Sequence, residues 1–173
     1  LEAALRQDTC DYLLSIANHA VLSPHLLDLP RCTTINYHDG PLPRYAGVHA
    51  TSWALINRER EHGITWHVVT PQIDAGDVLK QVRFPIDAGE TAFSLNLKCY
   101  DAAIRSFAEL VPELARGTMT RQVQDTRQRT YFPRNLRPPV AGAIDWHRPA
   151  AEIEALVRGL SFGRYPNPLG LPR

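Results

Sequence analysis

The chain has 173 residues, 44% of them hydrophobic and 21% charged, which is the composition of a folded globular protein and excludes a disordered or membrane-embedded chain. A formal net charge of +1 excludes a whole-chain electrostatic attraction to nucleic acid, and no apolar run reaches the roughly 20 residues that a membrane helix needs. Three dispersed cysteines, Cys10, Cys32 and Cys99, leave one unpaired in any disulfide scheme and point to buried thiols in a reducing, cytoplasmic setting.

The chain starts with Leu and shows no cationic region leading into an apolar core, so its first residues do not read as a secretory leader. They read as the tail of a helix running into a strand, with further residues of a larger protein expected upstream. The apolar run over residues 12–17 has the length and purity of a strand buried on both faces. Ser23 followed by Pro24 predicts a short helix in "SPHLLDL". The β-branched and aromatic run over residues 32–38, closed by Asp39-Gly40, predicts a second strand, parallel to the first.

After Gly47, Ala50, Trp53, Ala54 and Ile56 fall at helical spacing, with Arg58 and Arg60 expected at the C-terminal end, where the helix dipole favours cations. Ile64, Trp66 and Val68 alternate with Thr65, His67 and Val69 as in a strand; "PQIDAGD" is a turn, and "VLKQVRFPI" a strand ended by Pro85. The longest helix signal carries Phe93, Leu97, Tyr100, Ile104, Phe107, Val111 and Leu114 as its expected buried stripe, Pro112 as a point of bending and Gly117 as its stop. Strands alternating with helices imply an α/β fold, an open sheet with helices on its faces.

From Thr118 the composition shifts to Arg, Gln and Pro, and residues 118–143 read as a linker wrapping the domain. A final amphipathic helix is expected over about residues 149–160, with Ile153, Leu156 and Val157 on its apolar face. The partition is therefore residues 1–117, a linker over 118–143, and the start of a further domain over 144–173.

The chemistry concentrates in "TINYHDGPLPRYAG", residues 34–47. On a strand Asn36 and His38 project to one face, at the carboxyl end where α/β sheets place their ligands. An imidazole exchanges protons near pH 7, and a carboxamide donates to negative charge developing on oxygen. A carboxylate to orient the imidazole is available from Asp74 or Asp77. Asp74 is preferred because Ala75-Gly76 permits a close turn over a ligand. The alternative stays open at this point: a histidine hydrogen-bonded at a strand end, with the two aspartates as turn formers.

These segments resemble the 10-formyltetrahydrofolate-dependent formyltransferases. "NYHDGPLPRYAG" is similar to their Asn-x-His-x-x-x-Leu-Pro-x-x-x-Gly segment and "GITWHVVTPQIDAGDVL" to their Gly-Val-Thr strand and Asp-x-Gly loop, with Asn36 and Asp74 separated by 38 residues. "AIDWHRPAAEIEALVRGL" resembles the junction between catalytic and C-terminal domains in the methionyl-tRNA and aminosugar branches.

The resemblance implies a Rossmann-like formyltransferase fold missing its first strands. Residues 1–117 would be the C-terminal part of the catalytic domain, and 144–173 the start of a C-terminal formyltransferase-associated domain. It implies 10-formyltetrahydrofolate as formyl donor and no metal. Asn36, His38 and Asp74 become the catalytic set: Asn36 and protonated His38 stabilise the oxyanion, while Asp74 orients His38 and helps relay the proton to the departing N10. The folate pocket falls on Ala20, Val21 and Leu22 and on Thr70, Pro71, Gln72 and Ile73.

Gly40-Pro41-Leu42-Pro43 replaces the family's frequent Ser-Leu-Leu-Pro, and Val48 stands where the aminosugar branch has Arg. The wording "HDGPLP...GVHATSWAL" looks more like formyltransferase domains of nonribosomal peptide synthetases, or those acting on hydroxyornithine for siderophores. The expected acceptor is accordingly an amine of an amino acid, hydroxyornithine or a carrier-bound aminoacyl group, possible fusion to peptide synthetase domains included. Methionyl-tRNA formylation, formyltetrahydrofolate hydrolysis and an inactive docking module remain alternatives. No membrane partner is expected, and nucleic acid is disfavoured with tRNA left open.

His67 reads as a structural strand histidine, His49 as a residue beside the site and His19 as one bordering the pterin loop. Arg121, Arg127, Arg129, Arg134 and Arg137 read as a solvated linker rather than a tRNA-contacting one.

Overall fold

Period-2 alternation along two central strands decides where the core and the site lie. The computed structural model describes residues 10–18 and 20–171; the helix tail expected at the N-terminus and His19 fall outside the described residues. Strands β1 (Tyr12–Ser15), β2 (Thr33–His38), β4 (Glu61–Val68) and β5 (Val78–Pro85) form one sheet in the order β1-β2-β4-β5. β1 and β2 are parallel, as expected, whereas β2 with β4 and β4 with β5 are antiparallel, so the sheet is mixed. A second, two-stranded sheet pairs β3 (Ala46–Gly47) in parallel with β6 (Tyr131–Phe132). The helices are α1 (Pro24–Leu27), α2 (Ala50–Ile56), α3 (Ala92–Arg116) and α4 (Ala150–Leu160). This is an α/β Rossmann-like sheet with flanking helices.

The β2–β4 register pairs Tyr37 with Trp66 and Ile35 with Val68, and these residues, together with Ile64 and Leu79, pack on Cys99 and Leu110 of α3. The intervening pairs, Asn36 with His67 and His38 with Thr65, occupy the opposite face. A second apolar cluster joins Tyr45, Trp53, Leu55, Leu95, Leu160 and Leu169, which ties α2 and α4 together behind that polar face.

Several expectations are corrected. β1 is not buried on both faces: it lies at an edge of the described sheet, with Leu14 37% exposed. α2 stops at Ile56, and Arg58, in the left-handed region at φ 56°, and Arg60 lie beyond it rather than on its last turn. α3 buries Ala92, Leu95, Cys99, Ala103, Ser106, Leu110 and Leu114, whereas Leu97, Tyr100, Ile104 and Val111 of the expected stripe are exposed. The physical reason is close approach: small side chains let the helix sit against the sheet, and Ser106 Oγ accepts the buried Trp66 Nε1–H at 2.9 Å.

α3 runs unbroken through Pro112 from a Thr91/Ser94 capping box to Gly117 at φ 66°. α4 likewise docks through Ala155, Gly159 and Leu160, leaving Val157 37% exposed. Only Cys99 among the cysteines is buried, and that burial pushes its thiol up; Cys32 is exposed. Among the described residues no helix is long and apolar enough to cross a membrane.

After α3 the chain returns along the sheet. Gln122 bridges Val78, and β6 then fills the place beside β3. Gly47, at φ 102°, lies so close to β6 that an added Cβ would sit 2.2 Å from the Phe132 carbonyl oxygen. Gly47→Ala should therefore destabilise the protein by about 2 kcal/mol or more in urea unfolding. Gly89→Ala, at φ 80° with open space around its Cβ, should cost only about 1 kcal/mol. Equal losses would contradict the close-approach account.

Candidate active site

The structure brings Asn36, His38 and Asp74 together. Asn36 and His38 come from the polar face of β2, and Asp74 from the loop after β4, in a left-handed conformation at φ 50°. His38 Nε2 lies 2.7 Å from the carbonyl oxygen of Tyr45. A carbonyl can only accept, so Nε2 carries a proton, and Nδ1 is the atom left to gain or lose one. Nδ1 faces Asp74 Oδ2 at 3.7 Å and Asp39 Oδ1 at 3.9 Å. Gly40 makes this ring position possible: a Cβ there would stand 2.8 Å from His38 Nε2. The turn after β2 is held by Thr65, whose hydroxyl donates to Gly40 O at 2.7 Å and accepts from Leu42 N–H at 3.1 Å.

Asp74 is the electrostatic centre. Its side chain is 10% exposed, yet Oδ2 accepts the Gly47 N–H at 2.8 Å and Oδ1 lies 3.4 Å from His67 Nε2. Burial pushes the carboxyl up, but the hydrogen bond with His67, the nearby His38 and the Gly47 N–H outweigh it and lower the group to about 2. Asp74 is therefore ionised at neutral pH. Asp77, the other candidate, instead uses its backbone carbonyl to accept from Val68 N–H at 2.9 Å.

His67, taken from sequence as a structural histidine, belongs to this cluster. Its Nδ1 donates to Val68 O at 2.9 Å, and its Nε2 lies between Asn36 Nδ2 at 3.2 Å and Asp74 Oδ1 at 3.4 Å, accepting from the amide when the ring is neutral and donating to the carboxylate when it is protonated. The available signal was the alternation of His67 with Ile64 and Trp66, which puts it on the polar face; the pairing with Asn36 came only from register. His62, fully buried, donates from Nε2 to Asp39 O at 2.8 Å and supports the same turn. His49 is the N-cap residue of α2, two positions after Gly47.

The two segments expected to border a folate flank Asn36. Ser15 pairs with Asn36 and Val68 with Ile35, so the chain leaves β1 toward Ala20, Val21 and Leu22, and leaves β4 toward Thr70, Pro71, Gln72 and Ile73, on either side of β2. Both are loops with outward apolar side chains: Val21 is 84% exposed and Ile73 44%. Local bonds shape them, Asn18 with Ala20 at 2.9 Å and Thr70 Oγ1–H with Gln72 O at 2.9 Å. Exposed apolar side chains and loop backbone beside the His38–Asp74 pair could hold a flat heteroaromatic ring.

Residues 1–111 match the family described as Formyl transferase. The chain is similar to two curated methionyl-tRNA formyltransferases. That of Agathobacter rectalis is 31% identical over 157 residues, covering 91% of this chain and 50% of that protein. That of Geobacter metallireducens is 34% identical over 159 residues, covering 92% and 50%. The chain thus spans about half the length of the curated relatives it matches. Among solved structures it shares the fold of an N-formyltransferase from Helicobacter canadensis in complex with folinic acid and dTDP-3-aminofucose, with a TM-score of 0.75 at 23% identity over 84% of this chain and 53% of that one.

The depressed Asp74 carboxyl fixes an acid dependence. Its charge survives in the fold to about 2 against an ordinary 3.8, so the stabilisation is fully present above the ordinary value and is lost as pH falls toward the folded one. The benefit is on the order of 2 kcal/mol. In denaturant titrations the stability gap between the wild type and Asp74→Asn should shrink by that amount as pH falls through this window. A gap independent of pH there would contradict the assignment.

Proposed function

The chain belongs to the formyl transferase family, and on that premise we propose that it transfers a formyl group from 10-formyltetrahydrofolate to an amine. The observation that carries this reading is His38 Nδ1 at 3.7 Å from ionised Asp74 Oδ2, on the face that also presents Asn36. The donor supplies an activated formyl carbon, bound between residues 20–22 and 70–73. Asn36, held beside His67, directs an Nδ2–H to the formyl oxygen, where negative charge develops. His38, anchored through Nε2 on Tyr45 O, holds a proton at Nδ1 for the same oxygen or the departing nitrogen. Asp74, 3.7 Å from Nδ1, keeps the ring in place.

For the acceptor, the 31% and 34% identities support the aminoacyl amine of methionyl-tRNA ahead of an amine in peptide or siderophore assembly. Exposed Arg121 and Arg134 on the segment after α3 suit a polyanionic acceptor. A carrier-bound aminoacyl or hydroxyornithine amine rests on the wording of the segment around His38 and ranks second. In the same reading residues 1–117 belong to the catalytic domain, 118–143 connect it, and 144–173 lead into a following domain.

The test is a panel: methionyl-tRNA, hydroxyornithine and a nucleotide-linked aminosugar, each incubated with the protein and 10-formyltetrahydrofolate. Turnover should require an amine and be fastest with methionyl-tRNA, and His38→Ala should lower kcat by about 10²–10⁴-fold. Undiminished transfer by His38→Ala would sink the mechanism, and formate release without an acceptor would show hydrolysis in place of transfer.

A further inference from the structure

The segment between α3 and β6 lies against the site. Gln124 is 8% exposed, and its Nε2 donates to the backbone carbonyls of both Asp74, at 3.0 Å, and Gly76, at 2.6 Å. Six residues later Thr130 Oγ1 accepts the Tyr45 N–H at 2.8 Å, and Thr130 O accepts the Ala46 N–H at 3.0 Å. Tyr45 is the residue whose carbonyl receives the His38 Nε2–H. One short stretch therefore holds the peptide groups behind both members of the His38–Asp74 pair.

Both of those residues sit in left-handed backbone, Asp74 at φ 50° and Tyr45 at φ 61°. Such a conformation is strained for a non-glycine residue and persists only where the surroundings over-determine it. At Asp74 the second holding group is Arg129, which donates to Ile73 O at 2.6 Å and Asp74 O at 3.2 Å. At Tyr45 it is Phe132, whose ring stacks on the tyrosine ring at 5.3 Å with planes 6° apart. Between the two anchors the chain is folded into a single 3₁₀ turn, Thr126–Gln128, capped by Asp125. A capped turn gives the connection a fixed length.

We propose that residues 124–130 are a positioning clamp, in which Gln124 sets Asp74, Thr130 sets His38 through Tyr45 O, and the turn between them fixes the separation of the pair. This rests on the formyl-transfer reading, since only there does the 3.7 Å between His38 Nδ1 and Asp74 Oδ2 govern turnover. Within the stretch read from sequence as a solvated linker, Gln124 is buried while Thr126, Arg127 and Gln128 stay exposed. Gln124 and Thr130 are positioning residues: they touch backbone that carries the candidate catalytic groups and act through it.

The test compares Gln124→Glu and Thr130→Val, near-isosteric changes that remove the donor or the acceptor, with Thr130→Ser, which keeps the hydroxyl. Each disruptive change should lower kcat, by on the order of 10²-fold, with little change in KM for the folate donor. Thr130→Ser should restore wild-type turnover. The slowly exchanging imidazole proton of His38 Nε2 should be seen by NMR in the wild type and in Thr130→Ser, and be lost or shifted in Thr130→Val. Wild-type kcat in Gln124→Glu and Thr130→Val would overturn the clamp. So would a kcat loss that tracks only the folded fraction while the His38 proton is unchanged. If the wild type transfers formyl to no acceptor, the formyl-transfer reading fails, while the His38 proton in Thr130→Val still decides whether the clamp holds.

Discussion

An ionised carboxylate in a protein interior must be given donors or it takes up a proton, and Asp74 is where this chain meets that demand. Its carboxylate draws the Gly47 N–H from β3, His67 from β4 and His38 from β2 into one cluster. Each partner constrains the chain that brings it. Gly47 must lie against β6, His67 must pair with Asn36, and the loop after β4 must double back in a left-handed turn at Asp74. The convergence of three strands and a loop on one group is what separates a candidate site from a strand that happens to end in histidine.

The same two strands supply core and site because alternate residues leave a sheet on opposite faces. Ile35, Tyr37, Ile64 and Trp66 face α3, whose small residues allow close packing. Asn36, His38, Thr65 and His67 take the other face, backed by α2, α4 and the aromatic stack of Tyr45, Phe132 and Trp53. A rigid apolar face thus fixes the backbone from which the polar groups project. Changes to either face are coupled through shared backbone.

Local signals were legible. The co-facial Asn36 and His38 followed from period 2, the helix stop at Gly117 from residue type, and Asp74 from its spacing and family resemblance. What was not legible is non-local. The antiparallel register that sets His67 opposite Asn36 depends on how two strands slide past each other, and no residue in either announces it. The buried face of α3 was misassigned because large apolar side chains were counted, while close packing on the sheet selected Ala, Cys and Ser. Gln124 and Thr130 bind backbone groups 50 and 85 residues away, contacts that leave no periodic trace. The arginine-rich composition around them suggested solvent, and the fold put Gln124 inside.

Family membership and fold agree with the proposed chemistry, whose electrostatic premise is an Asp74 carboxylate ionised 3.7 Å from His38 Nδ1. The most direct measurement is the titration of the Asp74 side-chain carboxyl carbon by ¹³C NMR, assigned by its absence in Asp74→Asn. The account predicts a midpoint at about 2, well below the ordinary 3.8. A midpoint at or above that ordinary value would mean that burial prevails over the Gly47 N–H and the two neighbouring histidines, and would contradict the ionised carboxylate on which the proposed mechanism depends.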